Sequence, residues 1–390
     1  MNGLSNRAAI AGIGSTEFSK RSGRTELTLA CEAIQAALRD AGIDAAEVDG
    51  LLSLTMDNTA EAALFRSLGG RNLKIFSRAN YGGGQAFGPF LPAAMAVATG
   101  TADVVVVYRT MNERSEYRYG NGALRLAELV PADAALSQLH TLQGLRTPAA
   151  NMAIQMRRYM HEYGATPEDF GRVAIGMRDF AATNPNAWFY EKPLTMEEYL
   201  QARMIADPFR LFDCCQQSDG AVAAVVVSAE RARDLPSQPA IIRSVAQGLC
   251  DNIQEMGTFY RDDIIAFSEA RLVADQLYAN AGMVPGDMDM AIIYDHFAPT
   301  ILPQLEAYGM CGRGEAPGFV ADGHIARGGR LPVNTHGGQI GEAYLHGMNG
   351  LAEAVRQLRG VSVNQVDKVE NILLAAGAGV PTSGLILGVA

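Results

Sequence analysis

Asn334-Thr-His-Gly-Gly-Gln-Ile-Gly-Glu-Ala-Tyr-Leu-His-Gly-Met-Asn-Gly350 packs five glycines and several polar groups together and runs straight into the helical pattern that starts at Leu351. Glycine admits positive φ and lets the backbone approach a bound molecule, and the helix that follows points its unpaired N–H groups back at the same place. A turn of this composition presents chemistry, so the rest of the chain is read for what brings a second set of groups to it.

With 390 residues, 48% of them hydrophobic, the chain can bury one large core or two fused ones. The formal charge of -10, without a long basic run, argues against a nucleic-acid or anionic-membrane surface. Five cysteines, with Cys214 and Cys215 adjacent, have neither zinc-site nor disulfide-framework spacing, so no structural metal is expected. The N-terminal apolar run Ala8–Ile13 lacks a basic flank and a cleavage site, and no segment reaches spanning length. The expectation is a soluble, cytoplasmic protein with no nucleic-acid or membrane partner.

Strand and helix patterns alternate, the mark of an α/β architecture. Ala8–Gly14 reads as a strand, Thr25–Ala41 as an amphipathic helix stopped by Gly42, and Val48–Leu54 as a second strand. Thr59–Leu68 is a second helix, Tyr81-Gly-Gly-Gly84 a sharp turn into a helix to about Ala98, and Ala102–Tyr108 a buried strand. From about 111 to 206 long helical stretches, Asn151–Tyr163 and Pro167–Ala182, suggest an inserted loop domain. Strand pattern returns at Asp219–Ser228, and a second unit starts at Ala240–Ser244. That second unit repeats the first: Ala41-Gly-Ile, Asp49 and Leu54 match Ala281-Gly-Met, Asp289 and Tyr294 at one offset with no gap. We therefore expect two duplicated α/β halves, 1–236 and 237–390, with the loop domain inserted in the first and glycine turns from both around one cleft.

The opening stretch resembles the Asn-x-x-Gly-Gly … Gly-His-Pro-x-Gly-x-x-Gly signature of the thiolase superfamily, with Asn334, Gly337, Gly338, Gly347 and Gly350 in register. The duplicated layout is similar to the five-layered α-β-α-β-α thiolase fold. Arg158-Tyr-Met-His-Glu-Tyr-Gly-Ala-Thr-Pro-Glu-Asp169 and Leu211-Phe-Asp-Cys-Cys-Gln-Gln-Ser-Asp-Gly-Ala221 resemble its sterol-carrier-protein-X-type branch. Carried over position by position, the nucleophilic cysteine of thiolases falls on Gly83 and the second cysteine near Leu373. The histidine of the His-Asp-x-Phe motif becomes Tyr294 in Tyr294-Asp295-His296-Phe297, and that of Gly-His-Pro becomes Tyr344. Both cysteines are absent and both histidines are tyrosine.

This pattern resembles the steroid side-chain-cleaving aldolases, whose retro-aldol reaction needs a base, an oxyanion hole and an acid but no nucleophile. The resemblance implies cleavage of a 3-hydroxyacyl-CoA, a 17-hydroxy steroid with a three-carbon CoA side chain, to a 17-keto steroid and propionyl-CoA. It implies no cofactor beyond the CoA of the substrate. A homodimer is implied too, with Gln85–Ala98 and Ala102–Val107 at its interface, together with a separate small OB-fold, zinc-containing partner. An ordinary acyltransferase or thiolase and a non-catalytic lipid or acyl-CoA carrier are the rival readings.

Tyr294 and Tyr344 are the candidate catalytic residues, with base and acid roles exchangeable at this stage, although a tyrosine at a strand end is commonly a half-buried core residue. His296, His346, Gly83 and Asp295 are supporting candidates, with Asp295 also readable as a buried structural carboxylate. Gly83 is expected to leave room for a branched acyl group. Gly82, Gly84, Cys215, His336 and Gly379 are candidates for contact with substrate or CoA. Arg157 and Arg158 could meet CoA phosphates, or simply form a solvated helix face.

Overall fold

The computed structural model describes residues 3–80, 82–116, 140, 142–252, 259–377 and 381–390. In chain order the elements are β1 (Ala8–Ser15), α1 (Glu26–Ala41), β2 (Gly50–Leu54), α2 (Glu61–Leu68), β3 (Ile75–Ala79), α3 (Phe90–Thr99) and β4 (Val105–Asn112). Then come α4 (Pro148–Tyr163), α5 (Pro167–Thr183), α6 (Met196–Gln201), β5 (Met204–Ala206), β6 (Phe209–Arg210), β7 (Asp219–Ser228) and α7 (Ala229–Ala232). The chain continues with β8 (Ala240–Gly248), α8 (Ser268–Ala281), β9 (Met290–Ile293), α9 (Ile301–Ala307) and α10 (Ala316–Ala321). It ends with α11 (Gly338–Gly341), α12 (Met348–Leu358), β10 (Asn371–Ala376) and β11 (Thr382–Gly388).

Among the described residues the main sheet has nine strands in the order β3-β2-β4-β7-β1-β8-β11-β10-β9, and β1 joins the two halves by pairing Ala9 with Ile241 and Ile10 with Ala240. The two-residue period of the strands sorts their side chains into layers. Ala9, Ala11, Leu51, Val104 and Val106 face α1 and α2. Ala8, Ile10, Leu52, Val105 and Val107 turn the other way, into a shared core with α3, α12 and the second-half residues Ile292, Ile372, Leu374 and Leu387. Ala291, Ile293, Leu373, Ala375 and Ile386 face α8 and α9. The result is α-β-α-β-α, with α3 and α12 in the middle layer.

The repeat expected from the sequence is present in detail. Helix α1 ends at Gly42 and α8 at Gly282, both at φ 68°, and both are followed by a short 3-10 turn and a strand. Asp49 accepts from the N–H groups of Asp103 and Val104 just before β4, and Asp289 from those of Glu370 and Asn371 just before β10. The repeated spacing thus fixes how each α-β unit meets its parallel neighbour strand.

One expectation needs correction. Strand β4 is internal, hydrogen-bonded to β2 and β7, with all eight residues buried, so Val105–Val107 of the expected Ala102–Val107 contact is not an edge that a second copy could meet. Among the described residues the open edge is β3, which the sequence reading missed, and its Phe76 is 64% exposed. The segment after β4 shares one core with the second half: Met152, Met156, Phe170, Met177 and Phe209 pack with Ala274, Leu302 and Leu305. Strands β5 and β6 pair in a separate two-stranded sheet and the main sheet resumes at β7, while residues 117–139 of this segment lie outside the described residues. Among the described residues no helix is long and apolar enough to cross a membrane.

Candidate active site

Strand β9 ends at Ile293, and the next residue, Tyr294, is held on three sides. Its N–H donates to Ala375 O (3.0 Å), its carbonyl accepts from Gln304 Nε2 (2.9 Å), and Asn334 grips Ile293, accepting from its N–H (2.9 Å) and donating to its carbonyl (2.7 Å). Asn334 stands at φ 53°, a conformation asparagine tolerates better than most residues, so its side chain can act as a short neighbouring strand. Gly337 and Gly338, at φ 106° and 69°, then turn the chain over Asp295; a Cβ on Gly338 would lie 2.0 Å from Asp295 Oδ2. Asp295 accepts from Gln339 N (2.8 Å) and Ile340 N (3.4 Å) and so caps α11. Burial raises its pKa to about 7 against those hydrogen bonds.

Gln339 organises the next turn. Its Oε1 accepts from Leu345 N (3.1 Å) and Gly347 N (3.2 Å), while its Nε2 donates to Asn349 Oδ1 (2.8 Å). Asn349 in turn donates to Glu342 Oε2 (2.9 Å), and Tyr344 N donates to Ser218 Oγ (3.1 Å). The turn therefore aims Tyr344 and His346 without depending on their side chains.

The hydroxyl oxygens of Tyr294 and Tyr344 lie 2.9 Å apart, in hydrogen-bond contact. Tyr294 is 6% exposed and Tyr344 partly exposed. Burial lifts both phenols well above their usual range, so both are neutral near pH 7. At Tyr294, Cys215 and Glu113 add to the rise; at Tyr344, Tyr294, Cys215 and Glu113 do so. Gly83 faces this pair at close quarters: a Cβ there would lie 2.0 Å from the Tyr294 hydroxyl oxygen and 2.1 Å from Cζ. The expected room for an acyl group at position 83 is taken by the Tyr294 ring. Leu373 is fully buried within β10 and plays no part here; it is Gly377, past the strand end, whose Cβ would come within 2.7 Å of Gly84 Cα.

The other candidates divide. His296 stacks on Tyr294 with ring centroids 4.9 Å apart, and burial brings its pKa down to about 3. His346 meets Tyr344 edge to face at 5.1 Å, and its Cε1 and Nε2 would lie 3.2 and 3.3 Å from a Cβ on Gly82. Cys215 donates its backbone N–H to His296 O (2.9 Å), and its thiol is pushed well above the usual range by burial. Gly84 accepts at its carbonyl from Ser383 Oγ (3.0 Å). His336 lies apart from the tyrosines, 2% exposed beneath Gly350 of α12, with neither ring nitrogen hydrogen-bonded. Gly379 lies outside the described residues. Arg157 and Arg158 form surface ion pairs with Asp207 and Glu162, which makes α4 a solvated face there.

The family model described as thiolase C-terminal domain-like matches residues 252–387. A steroid side-chain-cleaving aldolase of Thermomonospora curvata is 57% identical over 388 residues, which cover 100% of this chain and 99% of the relative. A 17-hydroxy-3-oxo-4-pregnene-20-carboxyl-CoA lyase of Mycobacterium tuberculosis is 54% identical over 385 residues, 99% of this chain and 100% of the relative. The chain belongs to the steroid side-chain-cleaving aldolases of the thiolase superfamily. The solved Ltp2-ChsH2(DUF35) aldolase superposes with a TM-score of 0.95 at 56% identity, covering 99% of this chain and 98% of that one. Human mitochondrial 3-ketoacyl-CoA thiolase, at a TM-score of 0.68 and 15% identity over 99% of each chain, shares the fold.

Within this aldolase architecture, sequence reasoning missed the groups that arrive from the first half. Arg109, 1% exposed, donates from Nε to His346 Nδ1 (3.0 Å), and its Nη1 reaches Asp57 Oδ2 (3.3 Å) and Thr110 O (2.7 Å). Glu113, 5% exposed, closes the polar surroundings of the tyrosines. The available signal was charge at the end of a run that is otherwise apolar: Val104-Val-Val-Val-Tyr108 leads straight into Arg109. Among the described residues no three His, Cys, Asp or Glu side chains gather as metal ligands.

Proposed function

We propose that this chain is a carbon–carbon lyase that cleaves a 17-hydroxy steroid bearing a three-carbon CoA side chain, by retro-aldol reaction, to a 17-keto steroid and propionyl-CoA. The names of two full-length relatives above half identity support the substrate class. The observation that carries the mechanism is the tyrosine pair itself, two neutral phenols in contact on the glycine turn where a thiolase keeps its nucleophile.

A phenol with a raised pKa is a poor free base, but the pair does not have to ionise. The reaction removes a proton from the β-hydroxyl and adds one to Cα. Tyr294 takes the hydroxyl proton as it passes its own to Tyr344. The Cα–Cβ bond breaks, its electrons form the thioester enolate, and Tyr344 gives its original proton to Cα. Each phenol ends as it began, and neither carries a full charge in a site that burial makes hostile to charge. The N–H groups of the Gly82-Gly83-Gly84 turn hold the enolate oxygen. No cofactor enters beyond the CoA of the substrate.

Gly83 lacks any group to acylate, which disfavours the acyltransferase reading, and a lipid carrier has no use for a buried phenol pair. We further propose a cytoplasmic homodimer that works with a small OB-fold, zinc-containing partner; the name Ltp2-ChsH2(DUF35) aldolase, with its two components, supports a partner of some kind.

The test is incubation with 17-hydroxy-3-oxo-4-pregnene-20-carboxyl-CoA, with Tyr294→Phe and Tyr344→Phe beside the wild type. Each variant loses one hydroxyl and little volume, so turnover is expected to fall by roughly 10²–10⁴-fold in a folded protein. Deuterium exchange at Cα of propionyl-CoA runs through the same relay in reverse and should fall in both variants. Wild-type turnover in both variants, or no ketone from the wild type with its partner added, overturns the proposal.

A further inference from the structure

A second polar chain approaches the same glycine turn from the opposite side. Asp57, 2% exposed, accepts from Thr59 N (2.9 Å) at Oδ1 and from Thr110 N (2.9 Å) at Oδ2, which fixes its carboxylate beside Arg109 Nη1. The guanidinium is thereby oriented so that Nε–H meets His346 Nδ1. Arginine has five donors and no acceptor, and it keeps its proton in proteins. Nδ1 must therefore offer a lone pair, which leaves the ring proton of a neutral imidazole on Nε2. That edge of the ring is the one packed against Gly82, next to the glycine that Tyr294 overlies. His346 also sits at φ 53°, a left-handed conformation that a non-glycine residue holds only when its surroundings impose it. Any side chain at position 82 would meet both this ring and Met56 Sδ, the latter at 2.7 Å, so glycine there keeps the approach open.

We infer that Arg109, anchored by Asp57, is a positioning residue that locks His346 in its Nε2–H tautomer and so makes it a hydrogen-bond donor to the thioester oxygen at the Gly82–Gly83 turn. The inference rests on the aldolase reading for the identity of that oxygen, but not for the tautomer. Burial together with the positive charge of Arg109 keeps the ring neutral. A neutral donor suits an enolate: it stabilises the developing charge without handing over a proton that Tyr344 is to deliver to Cα. Lysine could not replace Arg109, because a flexible point charge lacks the planar fork that engages Asp57 and His346 at once.

The decisive measurement is the 15N spectrum of the full chain labelled at histidine, with His346→Gln identifying the signal to follow among six histidines. The expected result at neutral pH is an unprotonated Nδ1 and a protonated Nε2. A proton on Nδ1 overturns the inference. In Asp57→Asn/Arg109→Met both buried charges go together, so no ion is left unpaired. There the single tautomer should be lost and kcat should fall by roughly 10²–10³-fold, the usual effect of losing one oxyanion donor, with KM within a few-fold. Wild-type kcat with the tautomer unchanged in that variant also overturns it. If the double variant does not fold, His346→Gln against His346→Phe decides instead: glutamine retains a donor and should keep at least about ten times the activity of phenylalanine, and equal activities count against the inference. A wild type that releases no ketone yet shows the Nε2–H signal would sink the aldolase reading and leave the positioning of His346 standing.

Discussion

A Cβ at position 83 would lie 2.0 Å from the Tyr294 hydroxyl oxygen, so the missing cysteine and the acquired tyrosine are one change seen at two positions. The ring occupies the space a nucleophile would need, and the glycine is what lets it lie flat on the turn. Putting the cysteine back should therefore not restore acyl transfer. Gly83→Cys is expected to displace Tyr294, lower cleavage at least about 10²-fold and give no acyl-enzyme by intact-mass spectrometry; a stable adduct on residue 83 would show that Tyr294 yields easily. At this scale motif register survives substitution, so the sequence could single out positions 83, 294 and 344 as candidates. It did not show that positions 83, 294 and 344 touch, since a sequence that spaces Gly83 and Tyr294 far apart says nothing about a 2 Å approach. Arg109 and Asp57 escaped for a related reason: a charged residue following an apolar strand looks like a surface strand end until its partner His346, from the other half of the chain, is seen beside it.

At the scale of elements, the repeat was legible because its bookmarks are residues with a backbone task. Gly42 and Gly282 end equivalent helices in the left-handed conformation, and Asp49 and Asp289 staple equivalent strands to the loop before their neighbours. The two aspartates differ in setting. Asp49 is 6% exposed and also contacts Lys74 Nζ at 3.0 Å, whereas Asp289 is only half-buried. Removing either leaves backbone donors unpaired, which costs about 1–3 kcal/mol, and the more buried donors find less water to replace the carboxylate. Asp49→Ala is expected to lower the urea midpoint more than Asp289→Ala, with the slope of the transition unchanged; the reverse order would mean that the second half leans harder on its staple. Strand β3 was not legible at all, since Ile75-Phe-Ser-Arg-Ala79 lacks the long apolar run of an internal strand.

At the scale of the whole molecule, the two ends of the sheet differ in what they would offer a second copy of the chain. Beyond β9 the edge is covered: Val333 bridges to Ala291, with Ala291 N donating to Pro332 O and Asn334 N to Ala291 O, each at 3.0 Å. At the other end β3 pairs with β2 along its whole length and presents its outer side with Phe76 64% exposed and Ser77 exposed beside it. An uncovered edge strand with an apolar side chain is a liability unless it pairs, and pairing with its own copy about a twofold axis makes a closed, isologous contact. We therefore propose β3 as the contact surface of the proposed homodimer. Phe76 is its anchor, and truncating a buried aromatic anchor commonly costs about 2 kcal/mol or more, roughly thirtyfold in affinity. Phe76→Lys adds a charge to that loss, so sedimentation equilibrium should show the dimer weakened by at least that factor. Val361→Lys, at a site 65% exposed outside any strand, should leave it unchanged. If Phe76→Lys dimerises as tightly as the wild type, β3 is not the contact, and the exposed face of α3 around Met95, 48% exposed, becomes the surface to mutate next.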